Sequence, residues 1–97
     1  IKCARVANVT LKVDRMDRII DNWAPEVSQY GSQSGFLGGL MCADRFTGEV
    51  RSVTYWATED DMQENEASGA FNKAVGPYED AIAVAPLRTY WNARVVV

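Results

Sequence analysis

Two polar-tipped side chains lie in apolar stretches of the sequence and are the first candidates for chemistry. Asn8 stands among Val6, Ala7 and Val9, and its amide can donate and accept hydrogen bonds. Trp56 combines a flat aromatic surface with a single N–H donor. A buried Asn8 can also be satisfied by backbone or ordered water, and Trp56 can simply pack a helix against a sheet. Both alternatives stay open from the residues alone.

Further candidates lie at helical spacing. Trp23 lies on an apolar stripe with Ile19, Ile20 and Val27, which favours core packing over a pocket wall. A second helical region carries aromatic, amide and apolar side chains that could line a pocket, although Asn72 could equally be solvated and Tyr78 exposed. These second-helix candidates are Phe71, Asn72, Val75 and Tyr78.

Several classes of chemistry are excluded or disfavoured. The chain contains no histidine, so it has no Ser-His-Asp or Cys-His nucleophile, no His general base and no His-ligated zinc or heme. The acidic run Glu59-Asp60-Asp61 is typical of a helix start, and no metal site is predicted. A net charge of −3 disfavours nucleic-acid binding. No membrane span or signal peptide is recognised, so a cytoplasmic location is expected.

Three other features of the sequence bear on the site. Cys3 and Cys42 are predicted to be reduced, buried thiols, with a disulfide conceivable only if their strands are neighbours. Arg88 and Arg94 lie in the last predicted strand. A guanidinium near a pocket would stabilise a phenolate, but an ion pair at an interface is the favoured role.

The elements that must position these residues form one predicted domain, residues 1–97. Helix N-caps are expected at Asp14 and Thr58. The second helical region is interrupted at Ser68-Gly69 and Gly76-Pro77. The predicted order is a strand over 3–13, a helix containing Pro25, a hairpin over 35–57 with its turn at Thr47-Gly48, the interrupted helix ending at Pro86, and a strand over 87–97.

This β-α-β-β-α-β order predicts an α+β, ferredoxin-like fold, a four-stranded antiparallel sheet with the helices on one face. The other face would be bare and largely apolar, which is unfavourable in water. We therefore expect two chains to pack these faces together in a barrel-like homodimer.

Four short motifs carry a resemblance to the antibiotic biosynthesis monooxygenase family of dimeric α+β barrels. The chain resembles this family along essentially its whole length. The motifs are Val6-Ala7-Asn8-Val9, Gly35-Phe36-Leu37-Gly38, Tyr55-Trp56-Ala57-Thr58-Glu59 and Ser68-Gly69-Ala70-Phe71.

The resemblance implies a pocket between sheet and helices, and oxidation of a small aromatic or polycyclic phenol by O2 without a cofactor. Asn8 would bind the substrate oxygen and Trp56 would form a wall, both as catalytic residues. The heme-degrading branch has a histidine near the position of Val75, which is lost here. The implied substrate-binding set is Trp23, Phe71, Asn72, Val75 and Tyr78. The alternative is a non-catalytic dimeric barrel that binds a small ligand, or heme through Tyr or Cys.

Overall fold

The sheet agrees with the predicted architecture. The computed structural model describes residues 2–97. Within that range four strands form one antiparallel sheet in the order β2-β3-β1-β4. The ferredoxin-like arrangement is therefore confirmed. The strands are β1 (Cys3–Leu11), β2 (Phe36–Ala43), β3 (Glu49–Trp56) and β4 (Ile82–Asn92).

The helices lie against one face of this sheet. They are α1 (Met16–Ser28), α2 (Glu59–Ala67) and α3 (Ala70–Val75), followed by a 3₁₀ helix over Gly76–Ala81. Thr58 caps α2 as predicted, since its hydroxyl accepts a hydrogen bond from the Asp61 N–H at 3.1 Å. The predicted break between α2 and α3 is also confirmed, with Gly69 at φ 75°.

Four predicted boundaries are wrong. The first strand ends at Leu11 instead of residue 13, and the last strand ends at Asn92 instead of residue 97. The other two boundaries are the start of α1 and the start of β4. Asp14 does not cap α1, because a 3₁₀ helix over Val13–Arg15 comes first and the N-cap of α1, Arg15, makes no side-chain capping bond. β4 begins at Ile82, so Pro86 lies inside a strand instead of ending the helical region. Proline is tolerated there because β4 is an edge strand and its pairing with β1 is irregular at this point.

The core lies between the helices and the helix-facing side of the sheet. Trp56 packs with Cys3, Tyr30 and Met62 at one end, and a second cluster contains Leu11, Met16 and Val50. Gly39 allows α1 to approach the sheet closely. A Cβ there would lie 3.4 Å from the Trp23 ring and 2.7 Å from the Val53 carbonyl oxygen.

The opposite face of the sheet is uncovered in the single chain and carries large apolar side chains. Leu40, Val84, Leu87 and Trp91 are between 40% and 65% exposed there, and the strand register places them on one face. We call this the bare face. Cys42 shares it and is exposed, which corrects the prediction of a buried thiol, while Cys3 is buried. Both thiols are free, and β3 separates their strands.

Candidate functional site

A cavity of about 100 Å³ lies between the helices and the helix-facing side of the sheet. Its walls are mainly apolar and aromatic, with a few polar groups on the sheet side and on α1. Such a lining is typical of small-molecule sites. The sheet contributes Arg5, Ala7, Val9, Leu11, Met41, Val50, Ser52, Thr54, Ile82 and Pro86, and the helical segments contribute Ile19, Asn22, Trp23, Glu26, Val27, Tyr30, Phe71, Ala74, Val75 and Tyr78.

Four of the side chains predicted to bind substrate line this cavity, namely Trp23, Phe71, Val75 and Tyr78. The indole N–H of Trp23 donates to the Ser52 hydroxyl oxygen at 2.7 Å, which fixes the ring between α1 and β3. The binding roles of these side chains stay predictions, but their convergence on one cavity follows from the fold.

Asn8 and Asn72 lie outside the cavity. Asn8 is on the bare face, where it pairs with Arg51 of β3 and Leu87 of β4. The physical reason is strand alternation: Ala7 and Val9 face the helices, so Asn8 must face away. The expectation that the Asn8 amide lies inside the helix-covered pocket is therefore corrected. Asn72 is exposed on α3.

Trp56 lies behind the cavity wall. It is fully buried, and its ring centroid lies 5.3 Å from that of Phe36 and 6.4 Å from that of Tyr30. Its indole N–H donates to the Thr54 hydroxyl oxygen at 3.0 Å, and Thr54 does line the cavity. The structure thus gives Trp56 a supporting position, and its catalytic role stays a prediction.

The cavity also contains a charged side chain that was not among the site residues predicted from the sequence. Arg5 lies on the helix-facing side of β1, is only 3% exposed, and lines the cavity. Its Nη1 donates to Glu66 Oε2 at 2.8 Å, and Arg88 Nη2 forms an ion pair with Glu66 Oε1 at 3.0 Å. We call Arg5, Glu66 and Arg88 the charged triad. The sequence feature that could have pointed to Arg5 was a charged residue on the otherwise apolar face of the first predicted strand.

Aromatic rings surround the charged triad. The Arg5 guanidinium carbon is 5.9 Å from the Trp56 ring centroid, and that of Arg88 is 4.5 Å from the Phe71 ring centroid. Arg88 therefore pairs within its own chain, which differs from the favoured ion pair at an interface. These cation–π contacts help to orient the guanidinium groups next to the cavity.

Two tyrosines near the triad have perturbed acidities. Burial raises the pKa of Tyr30, and the charge of Arg5 and a hydrogen bond with it partly oppose that rise. Burial also raises the pKa of Tyr90, as do its hydrogen bond to Glu66 and the Glu66 charge. Both phenols therefore stay protonated at neutral pH; the Tyr90 hydroxyl donates to Glu66, and the Tyr30 hydroxyl is available as a hydrogen-bond donor.

The remaining polar lining comes from α1. Glu26 is half-buried and is one of the residues that line the cavity. Among residues 2–97, no group of three or more Cys, Asp or Glu side chains is arranged to hold a metal ion. No helix in the same range is long and apolar enough to cross a membrane.

Sequence comparison does not assign the chain to a family. No family model matches it, and no curated protein matches it significantly. The relationships that can be detected are structural.

Solved structures share the fold over nearly the whole chain. A protein from Caulobacter crescentus, named as a candidate antibiotic biosynthesis monooxygenase, superposes with a TM-score of 0.79 at 15% identity, covering 96% of this chain and 90% of that one. A corresponding candidate from Bordetella bronchiseptica gives 0.77 at 16% identity, with 97% of each chain covered. SnoaB from Streptomyces nogalater, a cofactor-independent oxygenase solved in a mutant form, gives 0.74 at 13% identity, covering 99% and 96%. The chain therefore has the fold that was expected from the resemblance.

Proposed function

We propose that the helix-covered cavity binds a small, electron-rich phenol and promotes its oxidation by O2 without a cofactor. The observation that supports this most directly is the cavity itself, where Trp23, Phe71, Val75 and Tyr78 converge. The fold shared with SnoaB, named a cofactor-independent oxygenase, adds support at the level of architecture.

The proposed reaction needs only substrate and O2. A phenol with hydrogen at the carbon para to its hydroxyl is deprotonated, and its electron-rich anion transfers one electron to O2. The radical pair recombines at the para carbon. One oxygen atom becomes the second carbonyl of a para-quinone, and the other leaves as water with the two displaced hydrogens. Oxidation of the ring by four electrons therefore balances reduction of one O2.

In this proposal the residues on the cavity wall orient the substrate, accept its proton and exclude water. In this proposal Glu26 accepts the phenolic proton, because its carboxylate lines the cavity. Trp23 and Phe71 contact the faces and edges of the ring. The apolar walls exclude water, which would otherwise solvate the anion and lower its tendency to give up an electron. Trp56 acts as a positioning residue through Thr54.

The size of the cavity restricts the substrate. About 100 Å³ is well below the roughly 300–1,000 Å³ typical of drug-sized ligand pockets, and an apolar cavity of about 150 Å³ holds benzene. A single ring is therefore the favoured substrate, and it enters with a small outward shift of the roof. α3 and the 3₁₀ helix over Gly76–Ala81 are the short segments that form this roof.

The proposed working form is a homodimer that packs the bare faces together. Two copies would bury the exposed Leu40, Leu87 and Trp91 side chains, whose exposure in a single chain is unfavourable. In such a dimer Asn8 and Arg51, which lie on the same face, would meet the partner rather than the substrate.

Oxygen consumption with a single-ring phenol tests the proposal. The purified, metal-free chain should consume one O2 per quinone formed from 2-methoxyphenol, above the rate without protein, and should turn over three-ring anthrone more slowly. Val75→Trp fills the cavity and should abolish the reaction. Val95→Trp makes the same change at an 83% exposed position and should leave it intact. Glu26→Gln should slow turnover strongly, since the proton acceptor is lost.

Two results would contradict the oxygenase proposal. One is quinone formation by Val75→Trp at the wild-type rate, which would place the reaction elsewhere. The other is saturable binding of 2-methoxyphenol, lost in Val75→Trp, with no oxygen uptake. That second result would favour a ligand-binding module.

A further inference from the structure

We infer that the cavity is selective for ligands carrying a carboxylate, and that Arg5 is the residue that binds it. The ligand class is a single-ring aromatic acid. This inference rests on the cavity named in the proposed function but not on the oxygen chemistry. It refines the substrate from a phenol in general to one that carries an acidic group.

The first support is the charge balance of the triad. Arg5 and Arg88 share one carboxylate, Glu66, through contacts of 2.8 and 3.0 Å. Two cations and one anion leave the triad with a net positive charge; Arg5 is buried, whereas the Glu66 and Arg88 side chains are partly exposed. Buried charge is unfavourable unless it is paired, so the structure holds one positive charge that a bound anion would neutralise.

The second support is the position of Arg5 relative to the cavity. Its guanidinium has five N–H donors; Nη1 is engaged by Glu66, and the guanidinium also hydrogen-bonds the Tyr30 hydroxyl, which leaves further donors free. The side chain is 3% exposed yet lines the cavity, so a ligand rather than bulk solvent is the natural partner for its remaining donors. A planar guanidinium binds a carboxylate with high directional preference.

Neutral donors next to Arg5 add to this anion site. The Thr54 hydroxyl lies on the strand beside Arg5 and lines the same cavity, as does Tyr30. Burial raises the pKa of the Tyr30 phenol, so the group keeps its proton and can donate. The sheet side of the cavity thus presents one cation and two hydroxyl groups, beneath apolar walls that accommodate a ring.

One group opposes the anion. Glu26 also lines the cavity, from α1, and among the ion pairs of residues 2–97 it joins neither Arg5 nor Arg88. An aromatic acid therefore binds with its carboxylate at Arg5 and with its ring toward α1. Removing the Glu26 charge should strengthen acid binding, whereas removing the Arg5 charge should weaken it.

Equilibrium binding of benzoate and benzamide tests the inference. The two probes have nearly the same shape and differ in charge, and neither has the hydroxyl that the proposed oxidation requires. Titration of the full chain, followed by calorimetry in low-salt buffer free of carboxylates, should give about ten-fold tighter binding of benzoate. Added salt should reduce this preference.

Three variants assign the effect to a residue. Arg5→Met should lower benzoate affinity about ten-fold, to the level of benzamide, and leave benzamide binding unchanged. It keeps the Glu66–Arg88 pair and is expected to fold. Glu26→Gln should raise benzoate affinity a few-fold. Arg45→Met, at an exposed arginine paired with Asp17, is the matched control and should change neither.

The inference is overturned if benzoate binds no tighter than benzamide, or if Arg5→Met leaves the preference unchanged. Oxygen uptake with 2-methoxyphenol is independent of that result. Acid selectivity without oxygen uptake would overturn only the oxygenase proposal, and uptake without acid selectivity would overturn only this inference.

Discussion

Replacing Glu66 by Gln should destabilise the protein far more than its location on a polar helix suggests. Glu66 is the only carboxylate that contacts Arg5 and Arg88 among the ion pairs of residues 2–97. Gln keeps the size and a carbonyl oxygen but removes the charge. Two like-charged guanidinium groups would then lie close together next to a cavity with little solvent around Arg5.

The expected magnitude follows from burial and distance. Two unit charges about 4 Å apart attract each other by about 4 kcal/mol at an effective dielectric constant of 20, before the cost of desolvating the charges. Removing one partner of a buried pair typically costs about 3–5 kcal/mol. Because the Glu66 side chain is 21% exposed, we expect the lower end. That is about 3 kcal/mol, or a fall in Tm of about 12–24 °C for a domain of this size.

Two further variants should each be less destabilising than Glu66→Gln. Arg5→Met leaves a balanced Glu66–Arg88 pair, so it should cost less than Glu66→Gln. Asp80→Asn removes the carboxylate that contacts Arg15 at 2.9 Å, in a pair whose side chains are 45% and 62% exposed. It should cost less than about 1 kcal/mol.

Thermal and urea unfolding followed by circular dichroism provide the measurement. All variants must be compared at the same protomer concentration, because a dimer makes Tm depend on concentration. The reasoning would be refuted if Glu66→Gln were no more destabilising than Asp80→Asn, or less destabilising than Arg5→Met.

Three further outcomes are expected. Trp91→Glu, at a position 59% exposed on the bare face, should convert the proposed dimer to a monomer in light scattering, and an unchanged dimer would contradict the face-to-face packing. Because the pKa of Tyr30 is raised in the folded protein, its neutral phenol contributes stability that is fully present below about pH 10 and is lost as pH rises through the folded-state pKa. Tyr30→Phe should therefore remove the late-titrating phenolate absorbance and reduce unfolding at alkaline pH. Thr58→Ala should cost about 1 kcal/mol in urea unfolding, because α2 loses its cap, and an unchanged midpoint would contradict that role.

The sequence predicted the elements that depend on local chemistry. The β2–β3 hairpin follows from the Thr47-Gly48 turn, where Gly48 has a φ of 82°. The start of α2 follows from Thr58, and its end from Ser68-Gly69. Boundaries that depend on the position of an element in the sheet were harder to predict from the sequence. Pro86 reads as a helix terminator along the chain, but it is accommodated in β4 because that strand lies at an edge of the sheet.

The candidate site divides in the same way. Of the five residues that the family resemblance implied for substrate binding, all but Asn72 line the cavity, because Trp23, Phe71, Val75 and Tyr78 lie on the sheet-facing sides of their helical segments. The spacing of β1 also placed Asn8 on the face opposite Ala7 and Val9. Which face the helices cover, however, depends on packing between distant segments, and the structure shows that they cover the face of Arg5.

By itself, the sequence determined the order of the strands and helices, the caps and turns, and the apolar stripes, since these arise from interactions within a few residues. Only the tertiary structure decided that Asn8 faces away from the cavity and that Arg5, Glu66 and Arg88 meet beside it. Glu66 lies 61 residues from Arg5 along the chain. No local pattern encodes such a contact, because it exists only once α2 has packed across β1 and β4.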